Sequence, residues 1–187
     1  MIDLGISGFT DSELRPFGLE AVLPQKRLSV DDSTRSAQSL IAQKRKSVDI
    51  VLAKTSSRKQ LMTYLSDTRL DVVFPDVSKI KIDASIANMA RDNEIAIGFS
   101  FADVRNSCFK LRRIAKCAEL LERKGCMVIL STGATNPEYL RDLESIAALF
   151  RQLGFSSVFL DNAITGVPQK ILTRNQERGV MPGVRLV

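Results

Sequence analysis

The sequence contains no histidine. That removes the commonest general base and the commonest transition-metal ligand together, so any catalysis would rest on carboxylates, lysines or thiols. Tryptophan is absent too, and Tyr64 and Tyr139 are the only tyrosines. Cys108, Cys117 and Cys126 are the only cysteines, and they stand nine residues apart. They form no CxxC pair and cannot close into an even set of disulfides, which is the usage of cytosolic buried thiols. No apolar h-region precedes Asp3, and no apolar run approaches the roughly 18 residues of a membrane span. A soluble, cytoplasmic protein with no membrane partner is expected.

What is present is enough for one full core. The chain has 187 residues, 44% of them hydrophobic, which is short for two domains. No low-complexity linker or repeat divides it, so a single domain over 1–187 is expected. Lys and Arg outnumber Asp and Glu by 27 to 21, a formal charge of +6 and a pI near 9.4. Such a balance permits a polyanionic partner without requiring one.

Short apolar runs alternate with helical patterns from end to end. The strand candidates are Ile2–Ile6, Ala21–Leu23, Val48–Leu52, Asp71–Phe74, Ile95–Phe99, Met127–Leu130 and Ser157–Leu160. Several (VDIVLA, EIAIGF, CMVIL, SSVFL) are continuously apolar and branched, as strands covered on both faces are. Helices are expected over Thr34–Lys46, Arg58–Leu65 and Ile82–Arg91. Another, carrying Leu111, Ile114, Ala115, Ala118 and Leu121, stops at Gly125, and a last one opens at Asn136-Pro137 and stops at Gly154. The segment from Ser7 to Leu28 is the least regular. This alternation argues a parallel sheet with right-handed crossovers, open or closed into a barrel.

In such folds function sits at the C-terminal ends of strands. Those positions are Ser7, Lys54-Thr55-Ser56, Pro75-Asp76, Ser100, Ser131-Thr132-Gly133 and Asp161-Asn162, rich in hydroxyls and poor in paired carboxylates. Ser131, Thr132 and Gly133 are either a candidate anion-binding loop of backbone N–H groups or a hydroxyl turn that caps the next helix. Lys54 is a candidate Schiff-base lysine, and Asp161 with Asp3 a candidate acid/base or metal pair.

The basic clusters are denser. From Phe101 to Gly125 seven Lys/Arg face three acids, from Lys26 to Lys46 six face two, and Lys170, Arg174, Arg178 and Arg185 are opposed only by Glu177. Lys44–Lys46 suits a helix C-terminus. Arg112 and Arg113 come early in their helix, against its dipole, where an external anion is more attractive. With so few aromatics interleaved, backbone and shape recognition of structured RNA is expected over base stacking.

Several strings, in order, resemble one family. They are VDIVLAKTSSRKQL, RLDVVFPD, KIDASIANMARDNEIAIGFS, VILSTGA, NPEYLRDL, PQKILTRN and a final GVRLV, covering about Val48 to Val187. The chain is similar to archaeal ribonuclease P protein component 3. The resemblance implies a TIM-barrel-like α/β fold related to the polymerase and histidinol phosphatase superfamily, compact beside the roughly 250 residues of a usual (β/α)₈ barrel. It implies a subunit of the ribonuclease P holoenzyme, the endoribonuclease that removes the 5′ leader of precursor tRNA. The catalytic RNA and its magnesium ions would perform the hydrolysis, and the protein itself would bind no cofactor and be non-catalytic. Its partners would be the ribonuclease P RNA, another small protein subunit and, indirectly, precursor tRNA. The superfamily's metal-binding opening, Asp-Leu-His-x-His, is matched only by Asp3-Leu4-Gly5-Ile6-Ser7, with both ligand positions empty. The RNA-binding candidates are Arg58, Lys59, Arg112, Arg113, Arg141, Lys170 and Arg174. All but Arg112 and Arg113 fall in matched strings, while Phe101-Ala102-Asp103 lacks the arginine that relatives often carry there.

Two other classes compete. One is a small-molecule barrel enzyme, a lyase, phosphatase or isomerase using Lys54 or Asp161 beside the Ser131–Gly133 loop. The other is a protein-interaction module whose basic helices meet an acidic partner.

Overall fold

The computed structural model describes residues 27–134, 136 and 140–179. The expected strands Ile2–Ile6 and Ala21–Leu23, the site residues Asp3 and Ser7, and Pro137 lie outside the described residues. Five strands form: β1 (Arg27–Val30), β2 (Ile50–Thr55), β3 (Val72–Pro75), β4 (Ala96–Ser100) and β5 (Val128–Ser131). They pair in parallel in the consecutive order β1-β2-β3-β4-β5. A doubly wound sheet reverses its order at a switch point. This one never does, so its crossovers return over one face, as in an arc of a (β/α) barrel. The α/β, barrel-like expectation is met, with β1 and β5 at the edges of the arc among the described residues.

The helices are α1 (Ala37–Lys44), α2 (Arg58–Leu65), α3 (Ala84–Asp92), α4 (Phe101–Val104), α5 (Cys108–Arg123), α6 (Leu143–Gln152), α7 (Ser157–Asp161) and α8 (Val167–Gly179). A 3₁₀ turn at Arg45–Ser47 follows α1, and a π-helical turn at Asn162–Gly166 joins α7 to α8. Side-chain caps start five of them. Ser57, Asp83, Ser107, Asp142 and Ser156 each accept a hydrogen bond from the backbone N–H three residues on, satisfying a donor that the first turn leaves unpaired.

The two faces of the sheet carry different cores. On the convex side Val51, Ala53, Val73, Ile97, Val128 and Leu130 pack with Leu61, Ile86, Ile114, Leu121 and Ile146 from the crossovers. Phe99 closes that layer, 5.8 Å from Phe150 and 6.4 Å from Phe155 between ring centroids. On the concave side Ile50, Leu52, Val72, Ala96 and Ile129 are covered by Val167, Ile171 and Leu172 of α8.

Four elements differ from expectation. Ser157–Leu160 is helix α7 and not a strand. In a strand Val158 and Leu160 would share a face, yet Val158 is 81% exposed and Leu160 fully buried. Burial continues at Ala163, Ile164, Val167 and Ile171 with helical spacing. Helix α6 starts at Leu143, not at Asn136, because Asp142 is the cap: its carboxylate accepts from Ser145 N at 2.6 Å and Ser145 Oγ at 2.7 Å. Strand β1 lies at the edge of the segment read as irregular, and Ala115 is exposed while Cys117 takes its place in the buried stripe of α5.

Burial pushes the Cys117 thiol up to about 12 and the Cys126 thiol up to about 11, so both stay protonated at neutral pH. Cys108 is exposed. Titration of the native protein with a thiol-reactive dye is expected to modify Cys108 quickly and the other two only on unfolding. Rapid modification of all three would contradict this packing.

Candidate functional site

The C-terminal ends of β1 to β4 surround a cleft of about 420 Å³. Its charged lining is Asp31, Asp32, Lys54, Asp76, Asp103 and Lys110. Phe74 and Gly98 form part of the wall, and any Cβ at Gly98 would overlap the Phe74 ring. Glycine is therefore what lets that ring lie across the strand next to it.

Three of the four carboxylates here are already occupied. Asp31 accepts from Ser33 Oγ at 2.7 Å and Thr34 Oγ1 at 3.0 Å, and these bonds hold its carboxyl below the ordinary value. Burial alone would raise Asp32, but the hydrogen bonds from Thr55 Oγ1, Ser56 N and Ser56 Oγ prevail and lower it. Asp76 follows the same pattern: burial raises it, but the Ser78 hydrogen bonds and the Lys110 ammonium at 3.4 Å prevail and lower it. None of Asp31, Asp32 and Asp76 is poised as a general acid near neutral pH. Lys54 lines the cleft but is exposed, without the desolvation that activates a Schiff-base lysine. Asp161 ends helix α7, not a strand, so its expected place at the barrel mouth is lost with the strand. Among the described residues no group of three or more His, Cys, Asp or Glu could hold a metal ion.

Ser131 and Thr132 are fully buried. Ser131 Oγ accepts from Gly133 N at 3.0 Å and Thr132 Oγ1 from Ala134 N at 3.4 Å. The amides that an anion would need are thus bonded inside the loop. Gly133 has φ of 60° and sits so close to Ser100 Oγ that no side chain fits.

The seven RNA-binding candidates separate into groups. Arg58 pairs with Asp83 at 2.7 Å and reaches Lys81 O at 3.4 Å, with Lys59 exposed next to it. Arg113 donates to Ser78 O at 3.2 Å, and Arg112 is exposed beside it. Arg58 and Arg113 therefore both bond the 76–83 connection, where Lys79 and Lys81 add two exposed cations. Arg141 is exposed after β5, with its guanidinium on Leu140 O.

Lys170 and Arg174 lie at the opposite end of the sheet. Lys170 pairs with Glu94 at 2.9 Å. Arg174 bonds Asp71 at 3.0 Å and Glu94 O at 2.9 Å. Asp71 is fully buried, immediately before β3, and also meets Arg45 at 3.2 Å and the Val51 N–H at 2.8 Å.

One residue was missed in the sequence. Phe109 is 55% exposed on the basic helix α5, with the Arg113 guanidinium 5.3 Å from its ring centroid. The signal was available in Phe109-Lys110-Leu111-Arg112-Arg113, a phenylalanine off the buried stripe and four residues before an arginine.

The family model for RNase P subunit p30 matches residues 23–179. The chain belongs to that family. Ribonuclease P protein component 3 of Methanosarcina barkeri (strain Fusaro / DSM 804) is 25% identical over 154 residues, covering 79% of this chain. The chain spans 64% of that relative's length. A chain of the cryo-EM structure of archaeal ribonuclease P with mature tRNA shares the fold, with a TM-score of 0.75 at 16% identity over 100% of this chain and 87% of that one. In this p30-family chain the empty histidine inventory and the bonded mouth carboxylates coincide with a cationic strip on the outer rim.

The two ends of the sheet give different expectations for arginine removal. Arg174→Ala should cost about 2–3 kcal/mol, because it withdraws one partner from a buried carboxylate. Arg112→Ala should stay within about 0.5 kcal/mol of the parent. Urea unfolding of both variants checks this, and equal midpoints would remove the structural role given to Arg174.

Proposed function

We propose that this chain is a protein subunit of ribonuclease P. It binds and braces the catalytic RNA that removes the 5′ leader from precursor tRNA. The family match over residues 23–179 carries the reading. The rim geometry supports it: Arg58 and Arg113 both bond the 76–83 connection, with Lys59, Lys79, Lys81 and Arg112 exposed, and these cations meet phosphates and fix the RNA in place. The lack of histidine and the bonded carboxylates of the mouth favour a protein that is itself non-catalytic and binds no cofactor. Hydrolysis then belongs to the RNA and its magnesium ions. The other partners are a second small protein subunit and, through the RNA, precursor tRNA, in the cytoplasm.

The test is magnesium-dependent cleavage of precursor tRNA by the purified protein and its partner subunits, with and without the ribonuclease P RNA. Stimulation that requires the RNA is expected. No stimulation, with the other components proven active, would return the small-molecule enzyme class to first place. Alanine at Arg58, Lys59, Arg112 and Arg113 together should weaken RNA binding evenly across sequences. It should also flatten the salt dependence, by roughly one unit of log–log slope for each phosphate contact removed. An unchanged slope would move the interface elsewhere.

A further inference from the structure

The connection from β3 to α3 and the first turns of α5 enclose a second cleft, of about 340 Å³. Its chemistry is unlike that of the mouth. Val77, Ile80, Ile82 and Cys117 supply an apolar floor, each of them at least nine-tenths buried. Phe109 forms a wall, and Lys81, Arg113 and Lys116 form the rim. No carboxylate lines it, whereas four aspartates line the mouth.

Phe109 is not used by the core. The helix turns Ile114, Cys117, Ala118 and Leu121 inward and leaves Phe109 out. Its ring is nevertheless held: Arg113 lies against it and is itself tethered to Ser78 O at 3.2 Å. The result is a fixed aromatic surface beside an apolar slot, with cations spaced around both.

That combination fits an unpaired nucleotide. Every base has a π-face that stacks on an aromatic ring or an arginine plane, and its flanking phosphates need cations. A protein partner would need an interface of roughly 800 Å² a side, and a slot this small with a purely cationic rim offers little of it. We propose that this cleft holds one unpaired nucleotide of an RNA strand, the base against Phe109 and Arg113 and the adjacent phosphates on Lys81, Lys116 and Arg112. The inference rests on the RNA-binding reading above and adds base contact to what would otherwise be backbone contact alone.

The experiment uses the full chain and a short single-stranded oligoribonucleotide carrying one 2-aminopurine, whose fluorescence falls when the base stacks. The parent protein should bind the oligonucleotide and quench it. Phe109→Ala should bind about tenfold more weakly and quench little, from the usual worth of one base–aromatic stack. Phe109→Tyr should behave as the parent, and Phe109→Leu, apolar without a ring, as the alanine variant. Thermal melting should be unchanged in all three, since the side chain is exposed.

Equal binding and quenching by parent and Phe109→Ala would overturn the proposal, as would Phe109→Leu matching Phe109→Tyr. It also falls if the parent binds ribonuclease P RNA but not the oligonucleotide. If Phe109→Ala keeps its RNA affinity but loses the second protein subunit on co-purification, the cleft is a protein dock and the proposal is wrong. If the parent binds neither RNA, the RNA-binding reading fails along with it.

Discussion

The carboxylate of Asp71 decides how the two ends of this molecule are used. It is fully buried just before β3, and taking it out of water costs several kcal/mol unless its lone pairs are met. They are met by the Val51 N–H at 2.8 Å, Arg45 at 3.2 Å and Arg174 at 3.0 Å. Its backbone serves as well, donating to Val51 O and accepting from Ala96 N. One residue thus joins β2, β3 and β4 to the turn after α1 and to α8. Asn175 completes the tie, accepting from Arg45 at 2.6 Å and donating to Asp49 O at 2.8 Å.

The consequence is positional. With Arg174 and Asn175 fixed at the N-terminal ends of the strands, Val167, Ile171 and Leu172 of α8 lie over the inner apolar residues of the sheet. The C-terminal ends keep their cleft. In an enzyme of this architecture the strand ends would present poised acids and bases. Here Asp31, Asp32 and Asp76 bind neighbouring hydroxyls, amides and Lys110, so each contributes as a turn- or loop-fixing anion. The hydroxyl-rich composition of the strand ends was visible in the sequence, and this is its physical use: Ser33, Thr55, Ser56 and Ser78 are the donors that the aspartates need.

The sequence made local features legible and long-range ones not. Strands β2 to β5 begin and end within three residues of the apolar runs that suggested them, since a fully covered parallel strand needs that composition. Helix α2 matches its expected bounds because Ser57 announces it. SSVFL misled because a short apolar run fits either a buried strand or a helix, and the deciding Ser156 cap looked like part of the run. Arg112 is exposed early in its helix, whereas Arg113 is half-buried and donates to Ser78 O. Arg174 was not legible as an internal cation, because its carboxylate partner is 103 residues away. Phe109 is the exception, a local signal overlooked, since it stands off the buried stripe of its own helix.

The net charge of +6 is therefore not a uniform field. The mouth cleft holds Asp31, Asp32, Asp76 and Asp103 against two lysines, while the neighbouring rim cleft holds three cations and no acid. The Asp76–Lys110 pair marks the boundary between them. Screening at physiological salt limits exposed charges to a range of about 8 Å, so a phosphate chain approaching this end feels the nearer patch and not the total. It is repelled from the strand ends and drawn along Arg58, Lys81, Arg113 and Lys116. A polyanion that meets attraction on one side of a rim and repulsion on the other has its line of contact set by the protein. That directional constraint gives any bound polyanion a defined orientation on this end of the sheet.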